Sequence, residues 1–182
     1  MTSPSAIGRN GLTAFVREVM LPGGADAIPK LVRAHCRFRL DAGASAIHRW
    51  GIFAAEPIPA RRRVIEYTGQ KIGAAEVDRR SLRPLLYIFQ LSETLAVDGA
   101  IGGSGAEFIN HSCEPNLRAT IARGHIMLGS TRRIGLGEEL TLDYHVSGDG
   151  AEPTCRCGSP RCRGTLHQIE RKSRAAIDSQ AR

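Results

Sequence analysis

No apolar run in this chain of 182 residues approaches the roughly 18 to 20 residues that span a bilayer, so the sequence offers no helical membrane segment. The first residues do not read as a secretory leader. The opening MTSPSAIGRNGLTAFVREVM has no basic start, and Arg9, Arg17 and Glu18 interrupt its apolar residues. The expectation is a soluble intracellular protein with no membrane partner. There is no GxGxxG after a strand, no Walker loop and no GxSxG elbow, which argues against dinucleotide, P-loop and serine-hydrolase chemistry. Neither a carboxylate dyad nor a Ser-His-Asp set stands out, and no internal repeat is visible. Lysine is nearly absent: Lys30, Lys71 and Lys172 are the only three, and the other basic residues are arginine.

What is present is a basic chain of net charge +7 with 42% hydrophobic residues, enough for one ordinary domain with a core. The positive charge suits an anionic partner such as nucleic acid, but it is spread along the sequence. Its one tight run, Arg61-Arg62-Arg63, reads as a solvated turn before VIEY. Residues 1–35 read as an N-terminal extension. GLTAFVREVM there suggests a short helix, and DAIPKLVRAHC a second, with Asp26 as cap and Pro29 in the first turn. From Cys36 onward short β-like pieces alternate with Gly and Pro: CRFRLD, AIHRWGIFA, RVIEYTGQKI, YIFQL, LAVDG, LRATIARG, HIMLGSTR and GLGEELTLDYH. One internal helix is expected in GAAEVDRRSLRPLL. This pattern predicts a mostly β fold of small sheets. VSGDGAEPT reads as a linker, and residues 167–182 as a polar tail.

Five cysteines are distributed unevenly. Cys36 and Cys113 stand alone, while CRCGSPRC packs Cys155, Cys157 and Cys162 into a C-x-C-x4-C cluster. Three thiolates aimed at one point by the turn-forming Gly158 and Pro160 read as a metal site, because a structural zinc takes four tetrahedral ligands. The spacing leaves the fourth ligand open among Cys36, Cys113 and a histidine such as His167. FINHSC raises a different question, since His111 beside Cys113 suggests a base and a thiol nucleophile. Residues two apart rarely face each other in that geometry, and the reading leaves the cysteine cluster unexplained.

Six motifs in order, SAIHRWGIFA, VIEYTGQ, YIFQL…VDG, EFINHSCEPN, GEELTLDY and CRCGSPRCRG, together resemble a SET-domain protein lysine methyltransferase with a post-SET zinc segment. The resemblance covers about residues 36–166. It implies a SET domain over 36–145, made of small β-sheets with a C-terminal pseudoknot, and a zinc-binding segment over 146–166. It also implies methyl transfer from S-adenosylmethionine to a lysine of a protein or peptide. By this likeness His48 and Trp50 lie on the loop that holds the methionine part of the cofactor. Asn110 and His111 bind it further along, and Tyr87 borders both cofactor and lysine channel. Phe89 and Leu142 join Tyr87 and Tyr144 in lining that channel. Tyr144 is the catalytic tyrosine, and Cys113 is the fourth Zn²⁺ ligand beside Cys155, Cys157 and Cys162. Arg49 stands where the family has glycine, Glu107 where a basic residue is usual and Ser104 where Asn is usual. Leu142 replaces a Phe or Tyr, and the lost hydroxyl implies room for di- or trimethyl-lysine.

The expected substrate is a lysine-bearing protein, with histones and other basic proteins as candidates, and two modes of recognition stay open: an acidic groove with Glu93, Asp98, Glu107 and Glu114 as candidates, or docking of the positive surface on nucleic acid beside a basic target. A nucleic-acid-associated target is the other class of partner. The rival to an enzyme is a SET-like, zinc-stabilised interaction module, favoured by Arg49 and Leu142 and opposed by Tyr144, Asn110 and His111.

Overall fold

The computed structural model describes residues 29–83, 85–146 and 154–167. GLTAFVREVM, residues 147–153 of the linker VSGDGAEPT and all but the first residue of the 167–182 tail lie outside these residues. Ten short strands and one short α-helix make four small sheets, as the sequence pattern predicts. None of the described helices is long and apolar enough to cross a membrane.

β1 (Leu40–Ala44) and β2 (Trp50–Ala54) form an antiparallel hairpin. β3 (Arg63–Tyr67), β9 (His125–Ser130) and β8 (Leu117–Ala122) form a three-stranded antiparallel sheet in that order. β4 (Gln70–Gly73), β6 (Leu95–Asp98) and β5 (Ile88–Gln90) form a second. β7 (Asn110–His111) and β10 (Thr141–Leu142) pair in parallel, Thr141 opposite Asn110 and Leu142 opposite His111. Alternation explains the sheet faces. In β9 Ile126, Leu128 and Ser130 are buried and in β3 Ile65 and Tyr67 are, while a register irregularity between Arg63 and Ile65 lets the adjacent Val64 be buried as well. These residues meet Ile52, Ile109, Leu117, Ile134 and Leu140 in a single core. Burying one such side chain stabilises the fold by about 1.5–3 kcal/mol.

α1 (Ala74–Arg80) begins where β4 ends at Gly73, and Glu76 sits in its first turn. Its C-terminal end is anchored by a buried charge network. Asp98 is fully buried, and its carboxylate accepts from Arg80 (2.6 Å) and Arg83 (2.9 Å). Arg80 also donates to Glu76 and to Gln70. Gly69 turns β3 into β4 against the Asp98 backbone; a Cβ there would lie 2.6 Å from the Asp98 carbonyl carbon.

Two expectations for the N-terminal part fail. DAIPKLVRAHC does not form a helix over its described residues, which contain only a 3₁₀ turn at Arg33–His35. Val32 is extended because its N–H is drawn to the Ser104 carbonyl, 2.9 Å away, so tertiary pairing overrides the local pattern. CRFRLD is not one strand either. Cys36 bridges Ile65, and β1 starts only at Leu40.

Candidate active site and zinc cluster

The parallel β7–β10 pair brings FINHSC and LTLDY side by side. Tyr144 follows β10 directly, and its hydroxyl donates to the Ile109 carbonyl at 2.7 Å. A strand-end tyrosine usually buries its ring and wets its hydroxyl. Here the residue is 42% exposed while its hydroxyl is turned inward. Burial of that hydroxyl, with Tyr87 and Glu139 nearby, holds its pKa above the ordinary phenol value. It is therefore a neutral donor. The His111 ring meets Tyr144 edge-on at 5.4 Å, and its Nδ1 accepts the Tyr144 N–H. That bond fixes the tautomer with the proton on Nε2. Burial lowers the His111 pKa, opposed by Asp143.

The loop before β2 is gathered by Asn110. Its side-chain amide reaches the carbonyls of Trp50 (2.8 Å) and His48 (3.3 Å), Ser45 Oγ (3.0 Å) and Glu139 Oε1 (2.8 Å). An amide has two N–H protons, so Trp50 and Glu139, the shortest contacts, take the main share. Glu139 also accepts from Ser45 Oγ at 2.8 Å, and Ser45 Oγ accepts the Ile47 N–H. Within this loop Arg49 has φ of +46°, the left-handed conformation that a glycine adopts without strain. The backbone thus keeps the glycine geometry although the residue has changed. At Gly51 the space is short for another reason. A Cβ on it would lie 2.9 Å from Glu139 Cδ and closer still to Oε1.

The remaining channel candidates come from β5 and its approach. Tyr87 is half-buried and packs on Phe108 at 5.5 Å between ring centres; Phe89 packs on Tyr67 at 5.4 Å. Tyr67 is buried and donates its hydroxyl to the Tyr87 carbonyl at 2.6 Å, locking the two together. Burial raises the Tyr87 pKa. Leu142 is buried in the core, and its carbonyl accepts the Ser112 N–H. His48 is exposed and Trp50 half-buried.

The cysteine cluster lies beside this site. Sγ atoms of Cys113, Cys155, Cys157 and Cys162 all fall within 4.8 Å of one another. Cys113 and Cys155 are 3.7 Å apart, close to the separation of about 3.8 Å that tetrahedral zinc with bonds of about 2.3 Å imposes. Backbone N–H groups of Arg163 and Gly164 donate to Cys113 and Cys162, as suits thiolates. Burial pushes the Cys155 thiol up to about 12, whereas Cys157, against its burial, is pulled down to about 6 by backbone N–H groups and the other thiols. One thiol among the four is thus already poised to ionise. The donor set fits a structural Zn²⁺ held by four thiolates. Cys36 and His167 are not part of the cluster. Cys113 is occupied here, and its neighbour His111 Nε2 lies 3.4 Å from the sulfur with no acyl site built around them.

Several contributors lie inside the motif stretches, although their residue types alone assign them no role. Ser45 and Glu139 complete the loop network. Asn116, only 2% exposed, donates to Glu138 Oε1 and the Glu139 carbonyl, and its Oδ1 accepts the Thr141 N–H. Arg163 forms a two-pronged ion pair with Asp143, at 2.7 and 2.8 Å, tying the cysteine segment to the residue before Tyr144. The acidic groove is corrected in two of its four members. Asp98 is buried and neutralised by Arg80 and Arg83. Glu107 is buried, and its Oε2 accepts the Gly105 N–H at 2.8 Å. Glu93 and Glu114 are exposed, Glu114 with Arg161 and Ser159 as partners.

Comparison with known proteins completes the picture. Residues 49–145 match the SET domain family. The chain is 38% identical over 136 residues to a histone-lysine N-methyltransferase, H3 lysine-4 specific, of Kluyveromyces lactis, covering 68% of this chain and 14% of that protein. It is 39% identical over 133 residues to human histone-lysine N-methyltransferase SETD1B, covering 68% and 7%. The crystal structure of KRYPTONITE in complex with mCHG DNA and SAH superposes with a TM-score of 0.63 at 32% identity, covering 72% of this chain and 30% of that one. The chain thus spans less than a sixth of the length of the two curated relatives.

Proposed function

Since the chain belongs to the SET-domain family, we propose that its site transfers a methyl group from S-adenosylmethionine to the side-chain amine of a protein lysine. The observation that carries this reading is Tyr144, an accessible ring whose hydroxyl is fixed by Ile109 within the strand pair that also presents Asn110 and His111. S-adenosylmethionine supplies an electrophilic methyl on a sulfonium. This chain's residues supply the rest. The loop held by Asn110, from His48 to Gly51, cradles the methionine end, and His111 the far end. A lysine ammonium, with an ordinary pKa of about 10.4, must lose a proton before it can attack. The channel of Tyr87, Phe89 and Tyr144 desolvates it and favours the neutral amine, and the neighbouring sulfonium charge acts in the same sense. Water takes the proton. The new N–C bond forms as the S–C bond breaks, leaving S-adenosylhomocysteine. Tyr144 orients the reacting atoms in line, the kind of positioning that lowers barriers by roughly 7–11 kcal/mol in favourable cases.

A histone tail is the first substrate to try, because the curated relatives are named for histone lysine. Full-length chain, zinc and labelled S-adenosylmethionine are incubated with histones. Tyr144→Phe is expected to keep the fold and cofactor binding and to lose turnover by at least about 10²-fold; turnover near the parent's refutes the assignment. Leu142, without a hydroxyl, leaves room for more than one methyl group, so mass spectrometry is expected to show dimethyl-lysine or higher. Product that stays strictly monomethylated at long times counts against that role.

A further inference from the structure

The arginines that look scattered in sequence are gathered by the β3–β9–β8 sheet. Arg63 and Arg118 are cross-strand partners of the same residue, Gly129, on the outer face. Strands lie about 4.8 Å apart, so the two arginines flank a bare glycine floor at a separation of about 10 Å. Arg61 and Arg62 follow in the turn that hydrogen-bonds Ser130 at the same end of β9. Arg37 borders the row from the other side, its N–H bonded to the Val64 carbonyl. All five are exposed. None makes an ion pair among the described residues, whereas Glu66 on β3 is already answered by His35 and His125.

We propose that this arginine row is a docking surface for the phosphate backbone of duplex nucleic acid. The inference goes beyond the methyltransferase reading and does not depend on it. Guanidinium forks match phosphate oxygens in pairs, which makes two arginines on the sheet, with three more on the adjoining turn and edge and none ion-paired among the described residues, a phosphate surface rather than merely a soluble one. A protein partner would want an apolar anchor at the centre of the patch. The exposed large apolar residues, Val32, Leu82, Leu86, Ile121, Leu136 and Tyr144, lie outside the row, whose centre is glycine. The row sits at the Arg63 end of β3, about 13 Å along the strand from Tyr67, the residue that holds Tyr87. A bound duplex would therefore leave the lysine channel open and hold a basic, nucleic-acid-bound substrate near it.

The test is fluorescence anisotropy of a labelled short DNA duplex titrated with the full, zinc-loaded chain. Four phosphate contacts predict a log–log salt slope near about −3.6, hence about 10²-fold weaker binding between about 50 and 200 mM salt. The double variant Arg63→Glu/Arg118→Glu is expected to bind at least about tenfold more weakly with a slope shallower by about 2, while Arg63→Lys/Arg118→Lys keeps the slope. Thermal melts confirm that both variants fold. Three results overturn the proposal: no binding of the parent, unchanged binding by the charge-reversed variant, or equal binding to phosphatidylserine vesicles lost through the same substitutions. Methylation of a free peptide by the same variants reports separately on the active site and is expected to be unchanged.

Discussion

Glu107 is a buried carboxylate with no cation beside it, and that gives stability a pH dependence of known sign. It folds back on its own loop. Its Oε2 accepts the Gly105 N–H, a Cβ at Gly99 would lie 2.8 Å from its Cβ, and a Cβ at Gly103 would lie 2.5 Å from its Cδ. Burial raises its pKa from 4.5 to about 7, only partly offset by backbone N–H groups. Between those values the native state keeps a proton that the unfolded chain has released. Stability therefore declines as pH rises from 4.5 to about 7, and the contribution is fully lost above that. Each pH unit is worth about 1.4 kcal/mol, so the interval is worth about 3 kcal/mol. Glu107→Gln keeps the acceptor for Gly105 and removes the charge. The variant is expected to match the parent near pH 4.5 and to exceed it by about 3 kcal/mol at pH 8, read from urea melts across that range. His111, whose burial lowers its pKa, works in the opposite direction in both proteins and cancels in the difference. A difference between the two proteins that does not change with pH would refute the reasoning.

Gly51→Ala drives a methyl into the Glu139 carboxylate and breaks its bonds to Ser45 and Asn110. It is expected to cost about 1–3 kcal/mol in urea melts and to weaken S-adenosylmethionine in calorimetry; affinity equal to the parent's would show that the loop is not the cofactor cradle. Arg163→Gln removes the ion pair with Asp143 but no cysteine. It is expected to leave zinc stoichiometry at one per chain while lowering turnover. Zinc loss alone, with turnover per zinc-loaded chain unchanged, would reject the link.

Much of the fold was legible because its signals are local. Alternating strands, Gly-marked turns and the α1 pattern depend on neighbours in sequence, and each appears close to where the pattern puts it. Failures came where distant segments compete for the same backbone. Val32 is pulled straight by Ser104, 72 positions on by chain numbering, and no window of DAIPKLVRAHC contains that partner. The site divides in the same way. Motif residues such as Asn110, Tyr144 and the cysteines announce themselves by type and spacing. Ser45, Glu139, Asn116 and Arg163 lie inside the same motifs, but their type and spacing assign them no role, which exists only once β7 and β10 are paired. Charge shows the same limit from the other side. Asp98 and Glu107 look like groove acids in sequence, and burial removes both from any groove.

That pairing also explains why a metal cluster and a tyrosine more than ten residues away in sequence belong to one site. Cys113 ends FINHSC two residues after His111, and Asp143 precedes Tyr144 directly. The cysteine segment grips both: its sulfurs converge on Cys113, and Arg163 clamps Asp143 with two hydrogen bonds. His111 sits between, facing Cys113 through Nε2 and accepting the Tyr144 N–H through Nδ1. Each link alone is worth about 1–3 kcal/mol at most, too little to order a segment of this length. A zinc ion held by Cys113, Cys155, Cys157 and Cys162 would close the loop from Cys113 to Cys162 and make the links cooperative, since four ligands on one ion replace a set of independent contacts. Cys113→Ser should therefore act on the tyrosine through position rather than chemistry, loosening the wall of the lysine channel while leaving the Tyr144 hydroxyl intact.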